Sequence, residues 1–504
     1  MTASNCGLRT NCGLRTNCGL RTNCGLRTCC GLLDLPLYSK PSKPRGTVAF
    51  EGLMVSVSGV RGRVGEALTP EIIAQFAAGF GAWALARAGG KAQIVVGRDS
   101  RVSGPMFQPV VHAALQSVGC DVLDIGMVPT PTVQLAVEHH HAAGGLAITA
   151  SHNPIEWNAL KFIGPSGLFL DGAEAADMRK VVDGKIPRAT WDKLGTVSKD
   201  QEAARDHIER ILALPFLDVE GIRKRGFKVG LDCVRGAGGV FMPVLLELLG
   251  CKLATINMEP DGRFPRPPEP VPENLGELEK LVEDSHCDIG MAVDPDVDRL
   301  ALVSEEGVAI GEDYTLALAA KVVLRHRKGV VVTNLSTSRI IDDIAREAGS
   351  RVIRTPVGEV NVATRMRAEG APIGGEGNGG VILSELHLGR DAPVGAALIL
   401  QLLLEEGKSL SKIVASYPRY VIVKDKLVRP AAPLDTVYEA LKRAFPDAEV
   451  DTQDGLRLTW PDRWVHVRPS GTEPIVRVIA EAPSAEEAEK LVRDCRQPVE
   501  ALGR

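Results

Sequence analysis

Asp288-Ile289-Gly290-Met291-Ala292-Val293-Asp294-Pro295-Asp296-Val297-Asp298-Arg299-Leu300-Ala301-Leu302-Val303 is the stretch that decides the fold class. An apolar run, Ile289 to Val293, leads into carboxylates at alternate positions, and a second apolar run, Leu300 to Val303, leads out. Short apolar runs bounded by polar turns suit buried strands. Alternating carboxylates in one tight loop have a strong physical use. They converge on a hard divalent cation, whose charge outweighs their mutual repulsion. A calcium loop of the EF-hand type is the competing reading, and Glu305 falls at the twelfth position from Asp294. That reading fails at Arg299, which occupies the sixth position, where such a loop needs glycine. An ordinary acidic surface loop conflicts with the apolar flanks on both sides.

Outward from this loop the same grammar repeats. Gln93 to Gly97, Lys228 to Leu231 and Gly329 to Thr333 are short apolar strands that run into polar turns. Helical stretches lie between them, such as Met242 to Leu249 and Asp313 to Leu324. Thr69-Pro70-Glu71 opens an earlier helix with a capping hydroxyl and proline at the first helical position, and Gly89-Gly90 ends it. Such alternation predicts an α/β architecture with parallel or mixed sheets. The last stretch differs. Arg419 to Val428, Gly455 to Trp460, Trp464 to Val467 and Ile475 to Glu481 are strands close in sequence, followed by a helix from Ser484 with Glu487 placed for a capping box. This predicts a separate α+β domain after a linker near Ala415 to Pro418.

The composition is that of a globular protein, 44% hydrophobic and 24% charged over 504 residues. The longest uncharged, mostly apolar run, Val394 to Leu404, falls well short of the roughly 20 residues of a membrane span. The first 45 residues are basic, with seven Lys or Arg against Asp34 alone, so the rest of the chain is clearly acidic. An acidic body argues against nucleic acid and is compatible with a local basic pocket for a small phosphorylated substrate. Asn-Cys-Gly-Leu-Arg-Thr occurs four times in succession from Asn5 to Thr28. Cys-x5-Cys is not a usual zinc spacing, so residues 1–45 are taken as a low-complexity tail outside the fold. The remaining cysteines are scattered without a Cys-x-x-Cys, which is cytoplasmic usage.

Three further segments carry candidate chemistry. Thr149-Ala150-Ser151-His152-Asn153-Pro154 follows the small apolar run Gly144 to Ile148, so Ser151 is delivered to a strand end where Pro154 breaks regular structure. Serine in a turn is commonly only turn chemistry. Lys161, ten residues on, reads by itself as a solvated lysine. Gly374-Gly375-Glu376-Gly377-Asn378-Gly379-Gly380 allows unusual backbone and close approach to a ligand, with Glu376 and Asn378 able to bond sugar hydroxyls; a flexible turn is the plain alternative. Arg468-Pro469-Ser470-Gly471-Thr472-Glu473-Pro474 combines arginine, hydroxyls and a glycine backbone, the parts of a phosphate cradle, although a hairpin loop would also fit.

These four segments, in this order and spacing, resemble the α-D-phosphohexomutase superfamily from about Val55 to the end. Ser58-Gly59-Val60-Arg61-Gly62 and Arg354-Thr355-Pro356-Val357-Gly358 resemble two of its secondary segments. The resemblance implies three related mixed-sheet α/β domains plus a C-terminal α+β domain around a central cleft. The expected divisions are 46–195, 196–305, 306–416 and 417–504, with one of the four loops in each. It further implies that Ser151 carries a phosphoryl group and, with Asp294, Asp296 and Asp298, holds Mg²⁺. Lys161 matches the family's candidate for proton transfer, with Arg61 and His152 beside it. Arg299, Glu376, Asn378, Arg468, Ser470, Gly471 and Thr472 are the implied substrate contacts.

The implied reaction interconverts hexose 6-phosphate and 1-phosphate through a bisphosphate, with a sugar bisphosphate as activator. A cytoplasmic monomer or homodimer, with no nucleic-acid or membrane partner, is expected. Many members have serine and histidine where this chain has Asn378 and Gly380. The Gly-Glu-Gly-Asn-Gly-Gly form and Trp157-Asn158-Ala159-Leu160-Lys161 look like a phosphoglucosamine mutase branch. Phosphomannomutase or phosphoglucomutase specificity is the rival. A metal-dependent sugar phosphatase would want histidine ligands that no motif here supplies, and a non-catalytic sugar-phosphate sensor would not need an intact serine and its aspartates.

Overall fold

The computed structural model describes residues 52–57, 59–470 and 475–501. Four sheets occur among them. The first has seven strands, in the order Met54–Ser56, Gly59–Arg63, Trp157–Ile163, Gly144–Ile148, Gln93–Arg98, Asp121–Met127 and Val197–Lys199. Val197–Lys199 pairs in parallel with Asp121–Met127, so this sheet runs slightly past the division expected at residue 195. The second sheet orders Leu300–Val303, Ile289–Val293, Lys228–Asp232 and Lys252–Ile256. The third orders Val352–Thr355, Val331–Asn334, Ile373–Glu376 and Gly380–Leu383. The fourth is antiparallel: Val421–Val428, Ile475–Ala482, Trp464–Pro469, Leu456–Thr459 and Glu449–Asp451.

The first three sheets share one device. A buried parallel strand ends in a functional loop, and the next strand returns antiparallel beside it. Gly144–Ile148 leads through Ser151 to Trp157–Ile163. Ile289–Val293 leads through the three aspartates to Leu300–Val303. Ile373–Glu376 leads through Asn378 to Gly380–Leu383. All three loops therefore emerge at carboxyl ends of parallel strands, the side on which α/β sheets bind ligands. The strands leading into them are buried along their whole length, which is why Gly144–Ile148 and Ile289–Val293 read as continuous apolar runs; Ile373–Glu376 carries two glycines and a glutamate, so its sequence reads as part of the glycine-rich loop.

Local chemistry explains where elements begin. The helix Gly238–Leu248 starts four residues ahead of the expected Met242. Its two leading glycines permit close packing: a Cβ at Gly238 would meet Val293 Cγ2 at 2.7 Å, and one at Gly239 would meet the Met258 carbonyl at 2.0 Å. The helix Pro70–Arg87 has proline at its start, as expected, but the Thr69 hydroxyl does not cap its amides. Gly89 and Gly90 end it at φ +72° and +95°. Ser484 Oγ accepts the Glu487 amide at 3.3 Å, one half of the capping box that the sequence predicts.

The fourth sheet docks on the third through polar contacts. Ser338 Oγ and the Arg339 amide donate to the Glu481 carboxylate, and Lys424 reaches Glu312 at 2.8 Å. His466 Nδ1 lies 2.8 Å from Ser336 Oγ, and its Nε2 lies 2.6 Å from the Asp454 carbonyl oxygen. A carbonyl only accepts, so Nε2 carries the proton and Nδ1 accepts the Ser336 hydroxyl. Burial lowers the His466 pKa from 6.5 to about 4. The unfolded chain binds this proton below about 6.5 and the folded one only near 4, so stability falls as the pH drops through that window. Denaturant unfolding at pH 7 and pH 5 is expected to show wild type losing about 2 kcal/mol more than His466→Gln. Equal losses would assign the acid sensitivity to other groups.

Candidate active site

Ser151 lines a cleft of about 1980 Å³ that receives side chains from all four sheets or their loops. Its backbone takes φ +48°, a left-handed conformation uncommon for a residue with a Cβ. Two anchors hold it there. The Ser151 amide donates to Thr149 Oγ1 at 3.0 Å, and that hydroxyl donates to Asp99 at 2.7 Å. Behind the loop lies Arg101, fully buried, whose guanidinium donates to the carbonyls of Ser151 and Asn153 at 2.6 Å and of Pro154 and Trp157 at 2.8 Å. Asp99 offsets its charge at 3.2 Å. One side chain thus shapes the serine loop.

The serine points at the aspartate loop. Ser151 Oγ donates to Asp294 Oδ2 at 2.8 Å and lies 3.3 Å from His152 Nδ1. Asp294, Asp296 and Asp298 are buried and offer oxygens all within 4.8 Å of one another. Burial, then Asp298 and Asp296, push the Asp294 carboxyl well up. Asp296 Oδ1 and Asp298 Oδ1 have no hydrogen-bond partner among the described residues. Orphaned carboxylate oxygens in a buried place are costly. An all-oxygen donor set with convergent oxygens fits a hard divalent cation.

Basic residues surround the acidic loop. Lys161 is buried, with Nζ 2.7 Å from Asp296 and 3.4 Å from Asp298. Burial alone would lower its pKa, but the two carboxylates outweigh that and hold it above the usual lysine range. Burial, reinforced by Arg299, keeps His152 well below the ordinary histidine value. Arg61 donates to Asn153 at 3.3 Å, and Arg299 pairs with Glu269 at 3.1 Å.

The glycine-rich loop joins through a residue the sequence reading did not single out. Arg390 reaches Glu376 at 2.7 Å, Asp298 at 2.6 Å and Glu359 at 3.0 Å. Glu376 also accepts from Asn334 at 2.9 Å and from the Gly358 amide at 3.0 Å. Asn378 lines the cleft and accepts the Gly380 amide at 3.3 Å. Gly379 approaches so closely that a Cβ there would meet the Leu300 carbonyl at 2.4 Å. From the fourth sheet, Arg468 and Ser470 line the cleft, Arg468 pairing with Asp454 at 2.9 Å. Ser58, Gly471 and Thr472 lie outside the described residues.

Arg101 and Arg390 had faint signals. Arg101 follows Asp99 at a strand exit, and Arg390-Asp391 stands directly before the uncharged run of a buried helix.

Family models match nearly the whole described chain. They are phosphoglucomutase/phosphomannomutase alpha/beta/alpha domain I over residues 53–186, domain II over 205–307 and domain III over 311–420, and the C-terminal domain over 420–497. The chain belongs to the phosphohexomutase family. Among relatives of this phosphohexomutase, a Methanopyrus kandleri protein named "Probable phosphoglucosamine mutase" is 39% identical over 87% of this chain and 96% of its own length. A Thermococcus kodakarensis "Phosphoglucomutase/phosphomannomutase" is also 39% identical, over 87% of this chain and 96% of that relative. The crystal structure of a phosphoglucomutase/phosphomannomutase family protein from Burkholderia thailandensis superposes with a TM-score of 0.76 at 28% identity, covering 89% of this chain and 98% of that one. The phosphohexomutase is accordingly an isomerase with three mixed α/β units and an antiparallel C-terminal unit. No described helix is long and apolar enough to cross a membrane.

Proposed function

We propose that this phosphohexomutase interconverts glucosamine 6-phosphate and glucosamine 1-phosphate, with Ser151 as the phosphoryl carrier. The observation that carries the reading is Ser151 Oγ 2.8 Å from Asp294, in a cleft that Arg468 also lines. Arg468 and Ser470, with Gly471 and Thr472, bind the phosphate already on the sugar, which leaves the free hydroxyl towards Ser151. As the bond between phosphorus and the sugar oxygen forms, the bond to Ser151 Oγ breaks and the sugar hydroxyl gives up its proton. Lys161 and His152 are the residues beside the serine that would exchange it, with Arg61 and Arg299 offsetting phosphate charge. The sugar bisphosphate then turns in the cleft and returns its other phosphoryl group to Ser151. Glu376 and Asn378 support the sugar in either orientation. Mg²⁺ held by Asp294, Asp296, Asp298 and the serine phosphate would neutralise charge on the transferring group.

The named relatives support a glucosamine phosphate as substrate. The equally identical Thermococcus relative favours mannose and glucose phosphates as the second reading. The described cysteines are free thiols, which supports a cytoplasmic setting. The test is turnover of glucosamine, mannose and glucose 6-phosphates with Mg²⁺ and a trace of the matching bisphosphate as activator. Glucosamine 6-phosphate is expected to be fastest. A faster mannose or glucose substrate would reassign the sugar, and no conversion of any would refute the reaction.

A further inference from the structure

A buried polar chain runs through the domain junctions behind the site. It begins on the helix Thr130–His139 of the serine-bearing unit. The Thr130 hydroxyl donates to Asp296 at 2.7 Å, and its amide to the Asp296 carbonyl at 2.9 Å. Two residues on, Thr132 Oγ1 lies 2.9 Å from His207 Nδ1. His207 Nε2 lies 2.8 Å from Asp391 Oδ2, and His387 Nε2 approaches the same oxygen at 3.0 Å. Gln134, a further two residues along, donates to Glu359 at 3.3 Å, and Glu359 pairs with Arg390. Thr132, Gln134, His207, His387 and Asp391 are all buried and none lines the cleft.

The chemistry of Asp391 gives the chain its direction. The two imidazoles hold its carboxyl well below the usual range against the cost of burial, so it only accepts. Both histidines therefore donate from Nε2, and His207 Nδ1 is left to hydrogen-bond the Thr132 hydroxyl. Asp391 Oδ1 accepts the Val394 amide at 2.9 Å and so caps the helix Ala392–Glu406. This fixes the backbone on either side of Asp391. On one side Arg390 reaches Asp298 Oδ2 and Glu376; on the other the Ala392 amide donates to the Val297 carbonyl at 3.2 Å. Arg390 occupies Oδ2 of Asp298, and among the described residues Oδ1 is left without a hydrogen bond, with the Arg299 guanidinium facing it at 3.8 Å, so it is the oxygen this chain presents to the metal site.

We infer that His207, Asp391 and His387 are positioning residues. They set Arg390, and through it the Asp298 carboxylate, in the orientation that binds the divalent cation, although none of the three touches the cleft. The inference rests on the cation role proposed above for the aspartate loop.

The test compares His207→Leu with His207→Gln, whose Nε2 donates from nearly the place of the imidazole Nε2. Mn²⁺ is the probe, titrated by electron paramagnetic resonance against the full chain without sugar, alongside kcat and KM for the hexose phosphate. His207→Leu is expected to weaken Mn²⁺ binding and lower kcat by about 10-fold, the lower end of the effect of removing a partner bonded directly to a metal ligand, because His207 acts through Asp391 and Arg390, with KM little changed. His207→Gln is expected to restore both. Should His207→Leu not fold, His387→Leu and His387→Gln are read the same way. A folded leucine variant that binds Mn²⁺ and turns over like wild type overturns the inference, whatever its melting temperature. If wild type converts no hexose phosphate, the functional reading fails while the Mn²⁺ titrations still decide this one.

Discussion

Ser151→Ala is expected to lose turnover by roughly 10⁴-fold or more, the scale on which enzymes lose rate when a covalent nucleophile is removed. The substitution removes one hydroxyl that donates to Asp294 and otherwise changes little, because the loop is held by backbone contacts that alanine retains. Folding and sugar-phosphate binding should therefore survive. Stopped turnover with intact binding, read by activity assay and calorimetric titration, would match a nucleophile. Retained turnover would remove Ser151 from the chemistry. The positive φ at this position is strain that the surrounding bonds sustain, and strain of this kind concentrates where geometry serves function.

The second large effect concerns Arg101. Arg101→Met is expected to destabilise the protein by about 3–5 kcal/mol, because it leaves the buried Asp99 carboxyl without its counter-charge. It also strips donors from the carbonyls of Ser151, Asn153, Pro154 and Trp157. Urea unfolding at neutral pH measures the loss. Where the variant still folds, its activity should fall as well, since the serine would no longer be held towards Asp294. Arg101→Lys should fall between the two, because one ammonium cannot span the places a planar fork reaches. A change under about 1 kcal/mol would contradict the clamp, because surface-like substitutions stay in that range.

Much of the fold was legible because its central strands are buried on both faces. Gly144–Ile148 and Ile289–Val293 read as unbroken apolar runs, and the loops after them stand out by contrast. Val197–Lys199 was missed because all its residues are exposed, so it has no apolar pattern to read. The Thr69 cap failed because propensity fixes which residue types suit a cap, not which bond the hydroxyl makes. In the site, Ser151 and the aspartates were legible from their placement in short loops at strand ends. Lys161 looked like surface by itself; only the return strand that buries it beside Asp296 gives it another environment. Arg101 and Arg390 were illegible for a related reason. A buried guanidinium is stabilised by carbonyls and carboxylates far along the chain, and no local pattern encodes those partners.

The central claim is that Ser151 carries the phosphoryl group. The most direct measurement is peptide mass spectrometry of the protein after incubation with Mg²⁺ and a hexose 1,6-bisphosphate, before and after a chase with the hexose monophosphate. The account predicts phosphate on the peptide containing Ser151, lost on the chase and absent in Ser151→Ala. Phosphate on another residue, or turnover with Ser151 never phosphorylated, would contradict it.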